Sequence, residues 1–253
     1  MSGLLEVAGV SKRFGGVSAL NDVSLEVAEA EAVGLIGPNG AGKTTLFDCV
    51  SGVTVPDRGD VFFGGRRLGR APIYKRARLG MGRTFQRLEL FAGLTVREHL
   101  EVSERERRAD GRLWKDLLGR GGIRLEESER VDETLKELGL ESVAGSPIEA
   151  LSLGQGRLVE LGRALIREPS LLLLDEPSSG LDSRETAALA SVLNELRARR
   201  PISVLLVEHD LELVHAVAER VVVLDFGRVV SSGPLAAVLQ EPAVQEAYLG
   251  ATL

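Results

Sequence analysis

Cysteine is nearly absent. Cys49 is the only one in 253 residues, so no disulfide can form within the chain, as expected of a reducing compartment. Long apolar runs are missing too. The longest, Leu235 to Leu239, has five residues, far short of the roughly 18 that a membrane span needs. No basic stretch followed by an apolar block opens the chain, whose first charge is Glu6. That argues against a secretory leader and makes the cytoplasm the expected compartment. An excess of positive charge is also lacking. With 31 basic and 37 acidic side chains the net charge is −6, which removes the broad attraction that sequence-independent nucleic-acid binding requires. No nucleic-acid partner is expected.

What is present suffices for a folded domain. The chain is 44% hydrophobic and 27% charged, so it can bury a full core, and its length fits one large domain or one with an inserted lobe. Leu4 to Val7, Ser24 to Val27 and Ala32 to Ile36 read as strands, the third running into the glycine-rich stretch Gly37-Pro38-Asn39-Gly40-Ala41-Gly42. Behind it, Leu46, Phe47 and Val50 keep helical spacing and Gly52 closes the helix. Cys49 lies on that helix and reads as packing.

Between about 87 and 150 strand signals vanish and charges crowd into Glu104 to Arg108 and Glu126 to Arg130, the mark of a helical lobe with solvated faces. Trp114, Leu117 and Leu118 are its candidate small core. From Leu171 the alternation resumes: strand residues Leu171 to Leu174, Ile202 to Val207 and Val221 to Leu224 are separated by helices near 184–196 and 211–218. Such alternation specifies an α/β fold with a parallel sheet. Short helices are expected from Pro234 and Pro242.

Gly37 to Thr44 satisfies G-x-x-x-x-G-K-[ST] between a strand and a helix. Glycines let successive backbone N–H groups turn toward phosphates, the helix N-terminus adds positive potential, Lys43 can reach the β and γ phosphates, and Thr44 can ligate Mg²⁺. The strand Leu171 to Leu174 ends in Asp175 and Glu176. Asp175 stands where α/β sheets place ligands and can hold Mg²⁺, while Glu176 can orient or deprotonate water.

With these motifs in hand the chain resembles the nucleotide-binding subunits of ATP-binding cassette (ABC) transporters. Leu151-Ser152-Leu153-Gly154-Gln155 matches that family's Leu-Ser-Gly-Gly-Gln signature, except that Leu153 replaces the first glycine and could crowd a bound phosphate. Gln86 matches the Q-loop glutamine, Ser179 to Asp182 the D-loop, and His209 the switch histidine. The stretch Gly82 to Gln86 with Leu88, Leu90, Phe91, Leu94 to Val96 and Glu98 is similar to the branched-chain amino acid importer branch. So are Ser11 to Gly16 and Ala247 to Gly250.

The resemblance implies an α/β P-loop fold with a parallel core sheet, an antiparallel β lobe and an inserted helical lobe. Residues 1–86 and 151–253 would form the catalytic core with its β lobe, and 87–150 the helical lobe. ATP and Mg²⁺ are the implied cofactors. Phe14 would stack on adenine. Gly37, Pro38, Asn39, Gly40, Ala41, Gly42, Lys43, Thr44 and Thr45 would hold phosphates, with Thr44, Gln86 and Asp175 on the metal. Glu176, His209 and Lys43 would carry catalysis, and Ser152, Gly154, Gln155 and Asp182 would complete the site across a head-to-tail dimer.

The implied partners are two transmembrane permease subunits, a second ATPase subunit and, indirectly, an external solute-binding protein, with the chain on the inner face of the plasma membrane. Phe91 and Leu94 are candidate permease contacts, whereas His99 and His215 match no motif. A urea, amide or other amino acid importer, or a lipopolysaccharide exporter, remain alternatives. A soluble mechanical ATPase is a remote one, because only 65 residues lie between Gln86 and Ser152, with no sustained heptads for a long coiled coil.

Overall fold

A computed structural model describes residues 3–84, 90–108 and 125–250. The strands are β1 (Leu5–Phe14), β2 (Val17–Val27), β3 (Ala32–Ile36), β4 (Arg58–Phe63), β5 (Arg66–Arg67), β6 (Met81–Arg83), β7 (Leu171–Asp175), β8 (Ser203–Val207), β9 (Arg220–Asp225) and β10 (Arg228–Gly233). The helices are α1 (Lys43–Ser51), α2 (Ile73–Arg78), α3 (Val96–Arg108), α4 (Leu125–Glu137), α5 (Leu153–Leu165), α6 (Ser183–Arg199), α7 (Leu211–Val217), α8 (Leu235–Val238) and α9 (Pro242–Gly250).

They build two sheets. A four-stranded antiparallel sheet has the order β2-β1-β4-β5, and a six-stranded sheet the order β10-β9-β3-β8-β7-β6. In the larger sheet β9, β3, β8, β7 and β6 run parallel, while β10 returns antiparallel on the edge. The core sheet is therefore mixed at one edge.

Period-two alternation explains how one sheet serves two cores. Val33, Leu35, Leu171, Leu173, Leu205 and Leu224 face a cluster with Phe47 and Val50 of α1 and Leu5 and Val23 of the antiparallel sheet. Their neighbours Ile36, Leu172, Leu174, Val204, Leu206 and Val223 face the opposite cluster, which holds Leu193 of α6 and Val214 of α7. Both faces are buried, so these strands read as continuous apolar runs. The second cluster continues through Val159 and Leu161 of α5 to Leu100 of α3 and Leu135 of α4. Those side chains form the described core of the helical segment; Trp114, Leu117 and Leu118 lie outside the described residues. Cys49 is buried, and desolvation pushes its thiol up to about 11, as suits a packing residue.

Arg76 is almost fully buried at 1% exposure. Its guanidinium donates to the carbonyls of Cys49 and Val50 at 2.7 Å each, Ala71 at 2.8 Å and Gly69 at 3.1 Å. It satisfies carbonyls at the C-terminal end of α1, where a cation also complements the helix dipole.

Candidate nucleotide site

The loop 37–42 joins β3 to α1 at the carboxyl end of the parallel strands. Gly37 has φ 144 and Gly42 φ 103. A Cβ on Gly37 would fall 2.0 Å from the Leu224 carbonyl, and one on Gly42 2.5 Å from that of Ala19. Only glycine fits at either place. Pro38 is half-buried, Asn39, Gly40 and Thr44 are exposed, Thr45 is half-buried and Ala41 is buried. Among the described residues no side chain caps α1, and its first turn holds no acid. The amide end of this helix is left for an anion.

Lys43 folds back over the loop, its Nζ donating to the Gly37 and Pro38 carbonyls at 2.6 and 2.9 Å. Burial lowers its pKa and the charge of Glu176 pushes it back up. Behind the loop, the phenol of Tyr248 on α9 lies against the Gly37 backbone. Burial raises its pKa, and the hydrogen bond from Gly37 acts the other way.

Asp175 ends β7, 3% exposed, and desolvation raises its pKa to about 6. Arg83 counters that shift, while Glu176, Asp48 and Glu208 add to it. Arg83 is itself held to α1, donating to Ser51 Oγ at 2.6 Å and Asp48 Oδ1 at 3.1 Å. Glu176 has a left-handed backbone, φ 46, with its N–H on the Val207 carbonyl at 2.8 Å. Strain of this kind at a non-glycine residue aims a side chain that ordinary strand geometry would misplace.

Next to it, the fully buried carboxylate of Glu208 accepts hydrogen bonds from Ser178 N (2.9 Å), Ser178 Oγ (2.7 Å), His209 N (3.0 Å) and Asp210 N (3.2 Å). It ties the segment after Glu176 to the one that carries His209. The His209 ring stays exposed, with Nδ1 3.7 Å from Glu208 Oε2. Sequence reasoning passed over Glu208. An acid directly after an apolar strand, flanked by Ser178 only through the fold, gave no local signal beyond its place beside His209.

Phe14 stands exposed at the end of β1, with Lys12 Nζ 5.4 Å from its ring centroid. Ser152 starts α5 in a reciprocal capping box, its Oγ accepting from Gln155 N at 3.2 Å while Gln155 Oε1 accepts from Ser152 N at 3.0 Å. Asp182 caps α6 in the same way through Glu185. Arg157 of α5 donates to the Ser179 carbonyl at 3.3 Å, linking the two helix starts. Gln86 lies outside the described residues.

Among the described residues, a groove of about 640 Å³ separates α2 and β6 from α3 and α5, with Ile73, Tyr74, Arg83, Glu106, Arg163 and Arg167 on its walls. Phe91 and Leu94 are not among the residues that line it. Exposed Phe91 stays near its edge through Arg163, whose guanidinium is 5.4 Å from the ring centroid. His99 is buried, accepting from Phe91 N at 2.8 Å through Nε2 and meeting the Thr95 carbonyl at 2.9 Å through Nδ1. It organises the turn before α3. No helix among the described residues is long and apolar enough to cross a membrane.

Strand, glycine loop and uncapped helix, with a parallel strand two places along the same sheet that ends in two acids, define a P-loop nucleotide-binding ATPase. A family model described as ABC transporter matches residues 20–179, and the chain belongs to that family. It is 39% identical over 250 residues to the high-affinity branched-chain amino acid transport ATP-binding protein LivG of Salmonella typhimurium, covering 98% of each chain. To BraF, of the same description, from Pseudomonas aeruginosa, the identity is 37%, again over 98% of each. Its fold matches the ADP conformation of an ATP-binding cassette of an ABC transporter with TM-score 0.85 at 30% identity, covering 99% of this chain and 100% of that one. A dimeric, post-hydrolysis cassette bound to ADP and Pi matches with TM-score 0.74 at 26% identity, covering 91% and 98%. The chain is thus an ABC ATPase subunit of the transport type. Proteins of this family bind ATP, dimerise, and in importers work with membrane permeases.

Proposed function

We propose that this chain powers the import of branched-chain amino acids, as one of a pair of ATPase subunits on the inner face of the plasma membrane beneath two permease subunits. An external solute-binding protein would deliver the cargo. The observation that carries this reading is likeness over nearly the whole chain to relatives named for that transport. In this reading residues 1–86 and 151–253 form the catalytic core with its β lobe and 87–150 the helical lobe. The groove between α2 and α5 receives a cytoplasmic helix of the permease, with exposed Ile73 and Tyr74 at its rim.

Each site residue has a role that its surroundings suit. The amides of residues 37–42, Lys43 and Thr45 hold the phosphates, and Phe14 offers an exposed ring for adenine. A buried carboxylate whose pKa is pushed to about 6 is relieved by a cation, so Asp175, with Thr44 and Gln86, fits Mg²⁺. When bound, that ion neutralises developing charge on the phosphates. Glu176 orients or deprotonates the attacking water and His209 contacts the γ-phosphate. Ser152, Gly154 and Gln155, positioned beside Asp182, cover the nucleotide held by the partner subunit. The ATP-bound pair is closed and the product pair is not, because cleavage removes the phosphate contacts that cross the interface.

The test is uptake into proteoliposomes that hold the chain with its permease, second ATPase subunit and binding protein. ATP inside should drive accumulation of leucine, isoleucine or valine and not of urea. Accumulation of urea or methionine in preference to these would reassign the cargo while leaving the ATPase assignment in place.

A further inference from the structure

Glu185, in the first turn of α6, uses its two carboxylate oxygens on two different helix starts. Oε2 accepts from Asp182 N at 3.4 Å, closing the capping box of its own helix. Oε1 accepts from Gly154 N, in the first turn of α5, at 3.3 Å. The approach is close, since a Cβ on residue 154 would lie 3.0 Å from Oε1 and 3.2 Å from Cδ. Leu153 meanwhile lies over Gly180, where an added Cβ would come within 2.9 Å of Leu153 Cδ2. The two segments are thus locked together within one chain.

The proposed function sets Gly154 over the nucleotide held by the partner subunit, and the present inference rests on that reading, with the Gly154 amide as the group that meets the γ-phosphate. In the open chain the amide already holds an anion. A helix N-terminus draws negative charge, and a carboxylate oxygen is a fair mimic of a phosphate oxygen. The two anions cannot share one N–H, and their mutual repulsion is large at short range away from bulk water.

We infer that Glu185 is a positioning residue for ATP-driven pairing. Its carboxylate holds the signature amide in the unpaired chain and is displaced when the partner's γ-phosphate arrives. The displacement is short, because the bond from Asp182 N keeps the carboxylate tethered to α6. Pairing therefore requires a ligand with enough charge to expel Glu185, which ATP has at its γ position and ADP does not. The same movement loosens the Leu153–Gly180 side of the contact, so the D-loop registers arrival of the partner's nucleotide.

The test is made in the full-length Glu176→Gln chain, where hydrolysis does not reset pairing. Dimerisation with Mg-ATP is measured by sedimentation for that parent and for the parent carrying Glu185→Gln. Glutamine serves the capping box as well as glutamate, so the nucleotide-free thermal midpoint and monomer affinity for Mg-ADP should not change. The dimer constant should tighten about tenfold, which corresponds to about 1.4 kcal/mol of relieved repulsion. Glu185→Ala should tighten pairing also, with a lower thermal midpoint, because it removes the charge and the cap together. An unchanged or weaker dimer constant in Glu185→Gln, beside a parent that pairs, overturns the inference and leaves the proposed function standing. If parent and double variants all stay monomeric, this chain does not close on a second copy of itself and the inference fails, while a pair formed with a different ATPase subunit still serves the proposed function. A parent that stays monomeric while Glu185→Gln pairs supports it.

Discussion

The two helix starts that the proposed function sets against phosphate are built in opposite ways. At α1 the N-cap is Gly42, no described side chain caps the helix, and the first residue is a lysine turned onto its own loop. At α5 the N-cap is Ser152 in a complete capping box, and Glu185 adds a carboxylate on Gly154. Glycine in place of a side-chain cap costs roughly a few tenths of a kcal/mol of helix stability, so the α1 site gives up a little stability to keep its amides available. The α5 start gives up nothing while unpaired. A site served by its own chain's nucleotide can be left open, whereas one served by another molecule's nucleotide must stay satisfied until that molecule comes.

The largest expected effect lies where the two starts are meant to meet. Glu176→Gln keeps size and hydrogen bonding but removes the carboxylate, so turnover should fall by about 10² to 10⁴-fold, the usual worth of a general base, while nucleotide binding persists. Phosphate release beside equilibrium ATP binding measures both. Wild-type turnover in the variant would place the base elsewhere.

Next comes Asp175, the electrostatic counterpart of the missing cap. Its folded pKa of about 6 lies above the reference value of 3.8, so ionisation is disfavoured in the fold. The penalty is absent below the unfolded pKa, grows as pH rises from about 4 to 6, and is complete above that. Asp175→Asn should therefore stabilise the nucleotide-free protein at pH 8 by about 3 kcal/mol and by nothing near pH 3, while abolishing Mg²⁺-dependent tightening of ATP binding. Urea unfolding at the two pH values checks it. Equal gains at both would locate the effect in packing.

The contrast also explains what could be read from sequence. The α1 site is contiguous, so Gly37 to Thr44 announces both its shape and its chemistry, and β3, α1, β7 and β8 fall where apolar patterning puts them. Asp175 and Glu176 are adjacent and end an apolar strand. By contrast Glu208 meets Ser178, Arg76 meets the end of α1, and Glu185 meets Gly154 only through the folded chain. Charge in a solvated-looking run hides such roles. The weakly patterned strands β4, β5, β6 and β10 were not foreseen, nor was the extension of β1 and β2 into a long hairpin ending at Phe14. They are short, edge-placed or rich in arginine and glycine, and pairing with a neighbour rather than local propensity makes them strands. His99 matches no motif, and the fold buries it with both ring nitrogens engaged.

Phe14 sharpens the comparison from the α1 side. A ring with an exposed face reads no base edge, so ATP and GTP should bind nearly alike. Phe14→Ala should weaken both by about 1 to 3 kcal/mol, with no change in the dimer constant once nucleotide is saturating. Unchanged affinity by fluorescence titration would remove the stacking role.

The smallest effect is at Ser152, and it separates the two duties of the α5 start. Ser152→Ala removes the side-chain acceptor for Gln155 N, so stability should fall by about 1 kcal/mol. Ser152→Asn keeps a good cap, because asparagine ranks with serine at that position, but its bulkier amide replaces the hydroxyl that the proposed closure sets against the partner's phosphate. Asparagine should therefore restore the thermal midpoint and fail to restore Mg-ATP pairing in the Glu176→Gln background. Gly42 offers no equivalent experiment, since any side chain there meets the Ala19 carbonyl. If asparagine restored pairing together with stability, Ser152 would be a helix cap and nothing more, and the α5 start would bind phosphate through its amides alone.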